Sequence, residues 1–167
     1  MIYPSHAKPA ATLESGADET AAPSQPRRKL RVLVLMHEDL VPPDTLDGVD
    51  PRELAQFKTE YDVVSTLRRI GHEARPLGVY SDLGVIRDAI ADWQPDIVFN
   101  VLEEFHGNPL LDQHVVSYLE LLRQPYTGCG PRGLTLAHDK ALSKKVLAYH
   151  RIHIPQFAVF PRHRSKT

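Results

Sequence analysis

Cysteine is nearly absent from this 167-residue sequence: Cys129 stands alone, so no disulfide can close within the chain. Such usage fits a reducing compartment. Net charge is also lacking. Twenty Lys and Arg face 21 Asp and Glu, leaving a formal charge of -1, and no global field draws the chain toward nucleic acid or an anionic membrane. No apolar run approaches the roughly 20 residues that a membrane helix needs. The N-terminus carries acids and prolines where a secretory signal would carry an apolar stretch. The expectation is a cytoplasmic protein with neither nucleic acid nor membrane as partner. Two phosphate-binding signatures are missing as well: no Gly-Lys-Ser/Thr loop is present, and no G-x-G-x-x-G follows the first strand. No internal repeat is visible.

What is present is an ordinary globular composition, 42% apolar, unevenly spread. Residues 1–28 are rich in Ala, Pro, Ser, Thr and Glu and hold little apolar bulk beyond Ile2, Tyr3 and Leu13. Such a segment cannot bury enough surface to offset its ordering entropy, so it reads as a disordered leader. Arg31–Met36 is then a short apolar run, expected as a strand buried on both faces. Asp50 and Pro51 supply an N-cap and a first helical residue. Leu54, Phe57, Tyr61, Val64 and Leu67 follow at helical spacing, and Gly71 ends the helix. His72 to Leu77 is expected as a second strand, followed by a helix capped by Ser81 with Leu83, Ile86, Ile90 and Trp93 on one face. Asp96 to Val101 gives a third strand, Leu111 to Leu122 a third helix, and Pro125–Thr127 a short fourth strand.

This alternation predicts an α/β fold, an open parallel Rossmann-like sheet with flanking helices, over residues 29–130. Beyond it, Pro131 to Ala137 is expected as a short helix. Asp139 caps another that runs to about His150, and Gln156 to Phe160 reads as a strand. A lone helix and strand cannot close a core, so residues 131–167 read as the start of a second domain.

Ligands of an open parallel sheet sit outside the carboxyl ends of its strands. Three segments occupy that edge: His37–Asp39, Glu103–Gly107 and Thr127–Gly130. The second places two carboxylates, an imidazole and a glycine in one loop. Carboxylates can hold an ammonium group, and a histidine can orient or deprotonate a substrate. The plainer reading makes Glu103 and Glu104 solvated loop charges and His106 a cap on a carbonyl. Thr127–Gly130 permits close backbone approach, as a hinge or a phosphate-facing turn. Lys140 and Lys144 share a helix face, either as a solvated basic patch or as a phosphate contact. Cys129 has no basic partner fixed by sequence and reads as inert. The nine histidines fall in no recognised ligand spacing, and no metal site is expected.

From Asp96 to Leu102, through His106–Gly107, Tyr118–Leu122, Pro125–Gly130 and Leu134–Lys140, and on to Lys144 and Ile154–Phe157, the chain resembles the D-alanine–D-alanine ligase family of the ATP-grasp superfamily. The elements follow the family's order. The resemblance implies an ATP-dependent ligase of peptidoglycan precursor synthesis: one carboxylate is phosphorylated to an acyl phosphate, and a second amino acid's amine attacks it. It also implies ATP and Mg2+ as cofactors, D-alanine or a related amino acid as substrate, and a homodimer through the N-terminal domain. His106 falls on the family's His-Gly motif near the first substrate, with Gly107 beside it; Glu103 and Glu104, substrate contacts by the chemistry of their loop, form an insertion that shifts this motif relative to the strand. Lys140 falls on the family's Asp-Lys motif, whose lysine contacts ATP phosphate, with Lys144 one turn on. Glu38 stands in for the acid that the family carries after the first strand. The motif there differs, as does the glycine-rich stretch after His-Gly, here Asn108–Asp112. The substrate is therefore open to another amino acid or a small peptide.

The resemblance places the magnesium carboxylates and most of the ATP site beyond residue 167. The chain alone is accordingly expected to be inactive. Three other readings stand beside this one. They are an ATP-grasp ligase for another carboxylate, a non-catalytic α/β binding or dimerisation module, and a receiver-like or flavin-binding domain. The last lacks the paired acids and phosphate loop it needs after the first strand.

Overall fold

The computed structural model describes residues 28–160. The leader expected over residues 1–28 therefore lies outside the described residues, save for Arg28. Three parallel strands form the sheet in the order β2-β1-β3: β1 at Arg31–His37, β2 at Glu73–Val79 and β3 at Ile97–Asn100. The central strand has five consecutive buried residues, Val32–Met36, because both of its faces are covered. Leu33 and Leu35 pack with Val79, Ile86, Val98, Leu102, Val115 and Leu119 on one face. Val32, Val34 and Met36 pack with Val64 and Ala74 on the other.

The helices supply those layers. Helix α1, Pro51–Arg69, starts where the sequence places it: the Asp50 side chain accepts from Arg52 N at 2.7 Å. It buries Phe57 and Val64, and Gly71, at φ +98°, turns the chain out of it. Helix α2, Gly84–Trp93, starts differently from expectation. Leu83 takes the N-cap, and Asp82 Oδ1 accepts from Gly84 N at 2.7 Å. A carboxylate nearer the first turn thus displaces the Ser81 hydroxyl. Helix α3, Asp112–Leu121, buries Val115, Val116 and Leu119 after a single 3-10 turn at Pro109–Leu111.

Two expected strands are revised. The fourth is a single parallel bridge between Tyr126 and Val98, held by Val98 N to Pro125 O at 2.8 Å and Thr127 N to Val98 O at 2.9 Å. It extends the sheet order beyond β3, but Gly128 at φ +99° ends the pairing at once. Gln156–Phe160 is irregular, because among the described residues no strand lies beside it to take its backbone groups.

Helix α4, Pro131–His138, packs against α3, and α5, Lys140–Tyr149, packs against α4. Asp139 caps α5 as expected, accepting from Leu142 N at 2.8 Å. No residue of α4 or α5 is buried, and Leu142, Val146, Leu147 and Tyr149 are exposed. No helix among the described residues is long and apolar enough to cross a membrane.

Candidate substrate site

The carboxyl ends of β1, β2 and β3 deliver His37, Tyr80 and the Glu103–Gly107 loop to one edge of the sheet. That loop turns back through Phe105–Asn108, whose end residues exchange backbone hydrogen bonds of 3.1 and 3.3 Å. Its two central residues, His106 and Gly107, both have positive φ, 55° and 68°. This geometry is that of the mirror-image turns, which favour glycine and strain most other residues. His106 N donates to the Tyr80 carbonyl at 2.7 Å, which docks the turn on the end of β2.

Tyr80 is the centre of an aromatic row. The His106 ring stacks on it with centroids 5.5 Å apart and planes 25° apart. The His37 ring meets it edge-on at 5.5 Å and 81°. His37 Nδ1 accepts from Asp39 N at 3.2 Å. Its Nε2 lies 3.6 Å from Glu104 Oε1 and is covered without a hydrogen-bond partner.

Beside this row lies a cavity of about 470 Å³ lined by His37, Asp39, Leu40, Gln56, Thr59, Glu60, Val101, Glu103 and Glu104. A second of similar volume shares Thr59, Glu60, Val101 and Glu103 with it and runs on to Asp112, Gly128, Cys129 and His138. Four carboxylates and no Lys or Arg line the first. Such a wall favours a cationic group such as an ammonium and disfavours a free anion.

The residues picked from sequence separate accordingly. Glu103 and Glu104 line the cavity. His106 and Gly107 sit in the turn behind Tyr80, in contact with that ring, and do not line the cavity. Glu38 is exposed and does not line the cavity, although its neighbours His37 and Asp39 do. Its backbone instead passes Gly78 so closely that a Cβ there would meet Glu38 Cα at 2.8 Å. Lys140 is exposed at the start of α5, and Lys144 Nζ lies 4.9 Å from the centroid of the Phe157 ring. Neither lines the two cavities.

Sequence reasoning missed Tyr80 and Glu60. Tyr80 follows β2 at the same ligand-facing edge, so applying the edge rule to every strand would have found it. Glu60 gave no signal, being a charge in a helix whose apolar stripe drew attention elsewhere. Among the described residues, no group of three or more His, Cys, Asp or Glu side chains is placed to hold a metal.

The chain is an open parallel three-stranded α/β unit with flanking helices, and its strand ends carry a polar, carboxylate-lined cavity. No family model matches the chain. It is similar to D-alanine–D-alanine ligases, 32% identical over 117 residues to that of Syntrophotalea carbinolica, covering 70% of this chain and 36% of the relative. To that of Caulobacter vibrioides it is 36% identical over 97 residues, covering 58% and 28%. Among solved structures, that of D-alanine–D-alanine ligase from Bacillus anthracis complexed with ATP aligns with TM-score 0.54 and 24% identity, over 78% of this chain and 38% of that one. That likeness bears on the fold. The chain spans about a third of the length of the curated relatives it matches. Over its matched part, the chain belongs with the N-terminal portion of the D-alanine–D-alanine ligase family.

Proposed function

We propose that this chain provides the first-substrate side of an ATP-dependent carboxylate–amine ligase that joins two amino acids through an acyl phosphate. The observation that carries the reading is the cavity at the strand ends, walled by Asp39, Glu60, Glu103 and Glu104. The ammonium group of the first amino acid, D-alanine or a relative of it, pairs with Glu103 and Glu104. Tyr80 and His106 support that site from behind, stacked on one another with Tyr80 packed against the lining residue His37. Asp39 lines the cavity where Glu38 does not, so it is the acid after β1 that this reading uses. ATP supplies the phosphoryl group when bound, and Lys140 and Lys144 are the described residues proposed to meet its phosphates. The chain spans about a third of its relatives' length, and in this reading the 167-residue chain does not release phosphate from ATP by itself.

Calorimetric titration with D-alanine, ethylamine and propionate tests the substrate reading. The expected order of affinity is D-alanine, then ethylamine, then propionate, because the wall is acidic. Equal binding of propionate and ethylamine, or no binding of D-alanine, would remove its support.

A second reading, a self-associating α/β module, draws on one observation. An open apolar groove lies where Val63, Leu67 and Ile70 of α1 meet Phe99 of β3. Sedimentation equilibrium distinguishes the two: a homodimer that loses affinity on Phe99→Asp favours the module, and a monomer at all concentrations removes it.

A further inference from the structure

We infer that His37 is a further substrate-binding residue, whose Nε2–H donates to the carboxylate of the amino acid while the surrounding acids hold its ammonium group. The inference rests on the ligase reading and extends it to a residue that reading does not use.

The tautomer follows from the backbone. His37 Nδ1 accepts from Asp39 N at 3.2 Å, so in the neutral ring the proton sits on Nε2. That Nε2–H is covered and has no hydrogen-bond partner. The nearest acid, Glu104 Oε1, is 3.6 Å away, beyond hydrogen-bonding distance. Buried donors are nearly always paired, and one left open points to a missing acceptor. The ring cannot turn away to find one. Its edge packs on Tyr80 at 5.5 Å, and flipping it would break the bond from Asp39 N.

The rest of the cavity wall says what kind of acceptor is missing. Asp39, Glu60, Glu103 and Glu104 are acceptors when ionised, and no Lys or Arg is among the lining residues. An amino acid brings one cationic and one anionic group. The acids meet the first. For the second, the lining side chains that can donate are His37, Gln56 and Thr59. Of these, only the imidazole of His37 carries the unpartnered buried polar atom. A small movement of Glu104, which is one-third exposed, opens Nε2–H to the ligand.

Two measurements on the full 167-residue chain test this. The first is 15N-edited NMR of the His37 imidazole during titration with D-alanine and with ethylamine, which lacks the carboxylate. The expected result is a free ring protonated on Nε2, whose proton moves downfield and becomes protected with D-alanine but not with ethylamine. The second compares affinities in His37→Leu and His37→Gln. The preference for D-alanine over ethylamine should fall about tenfold or more in H37L, the scale of one lost hydrogen bond to a charged group. It should return in part in H37Q, whose amide can donate.

If wild type binds neither ligand, the ligase reading fails and takes this inference with it. If wild type prefers D-alanine and H37L keeps that preference, or loses both ligands alike, only the role of His37 is overturned. Should H37L not fold, an Nε2–H unmoved by saturating D-alanine overturns it equally.

Discussion

Removing the His138 imidazole should loosen α4 from the α/β unit without disturbing the sheet. His138 Nε2 reaches both oxygens of Asp112, at 2.9 and 3.1 Å. It is the pair that ties the last residue of α4 to the first of α3. The Asp112 side chain is 11% exposed and that of His138 29%. A hydrogen bond to a charged group contributes about 1.5–3 kcal/mol. Partial exposure of the imidazole lowers that, because water replaces part of what is lost. His138→Ala should therefore cost about 1–2 kcal/mol locally, and His138→Gln, which keeps a donor, about half as much. Thr135, which hydrogen-bonds Gln113, still holds α4 to α3, so the helix is loosened and not released. Amide exchange reads this directly. One to two kcal/mol corresponds to roughly five- to thirty-fold faster opening. That acceleration is expected in α4, with amides of β1 at Leu33–Leu35 unchanged. Unaltered exchange in α4 would refute the tie, and equal acceleration in β1 would show that the pair supports the whole domain.

Three further outcomes follow from particular residues. Gly78→Ala should destabilise by about 1–3 kcal/mol in urea unfolding, because its Cβ would sit 2.6 Å from Val41 Cγ2 and 2.8 Å from Glu38 Cα, an overpacked contact with backbone that cannot yield. Gly107→Ala meets only Tyr80 Oη at 3.7 Å, so its cost, about 1–2 kcal/mol by the same assay, comes from the positive φ alone. Tyr126 Oη donates to Glu120 at 2.8 Å, and partial burial together with that bond raises its phenol above the usual 10. The folded chain then holds this proton where the unfolded chain has released it. The contribution to stability is fully present below pH 10 and is lost as pH rises through the folded value. Ultraviolet titration should show a late-ionising component that Tyr126→Phe removes.

Much of the fold was legible because it rests on local chemistry. The Val32–Met36 run can only be a strand covered on both faces, and Asp50–Pro51 and Asp139 mark helix starts by side-chain geometry that needs no tertiary partner. The misplaced parts depend on competition or on distant partners. Ser81 and Asp82 both offer caps, and only the backbone path decides between them. Gln156–Phe160 has strand composition but no strand beside it. Tyr126 pairs for one residue because Gly128 turns the chain away. The site was legible as a location, since strand ends at a parallel sheet edge gather loops. Its membership was less so. Glu38 and Asp39 are adjacent in sequence, yet only Asp39 lines the cavity, because Glu38 packs over Gly78. The row His37–Tyr80–His106 joins the end of β1, the residue after β2 and the turn after β3, a relation no spacing in the chain encodes.

The most direct test of the substrate site is backbone chemical-shift mapping of the 15N-labelled chain during titration with D-alanine. Saturable shifts at His37, Asp39, Glu60 and Glu103–Gly107, with Val63, Ile70 and Phe99 still, are the predicted result. Shifts confined to the α1–β3 groove, or none at all, would contradict a substrate site at the strand ends.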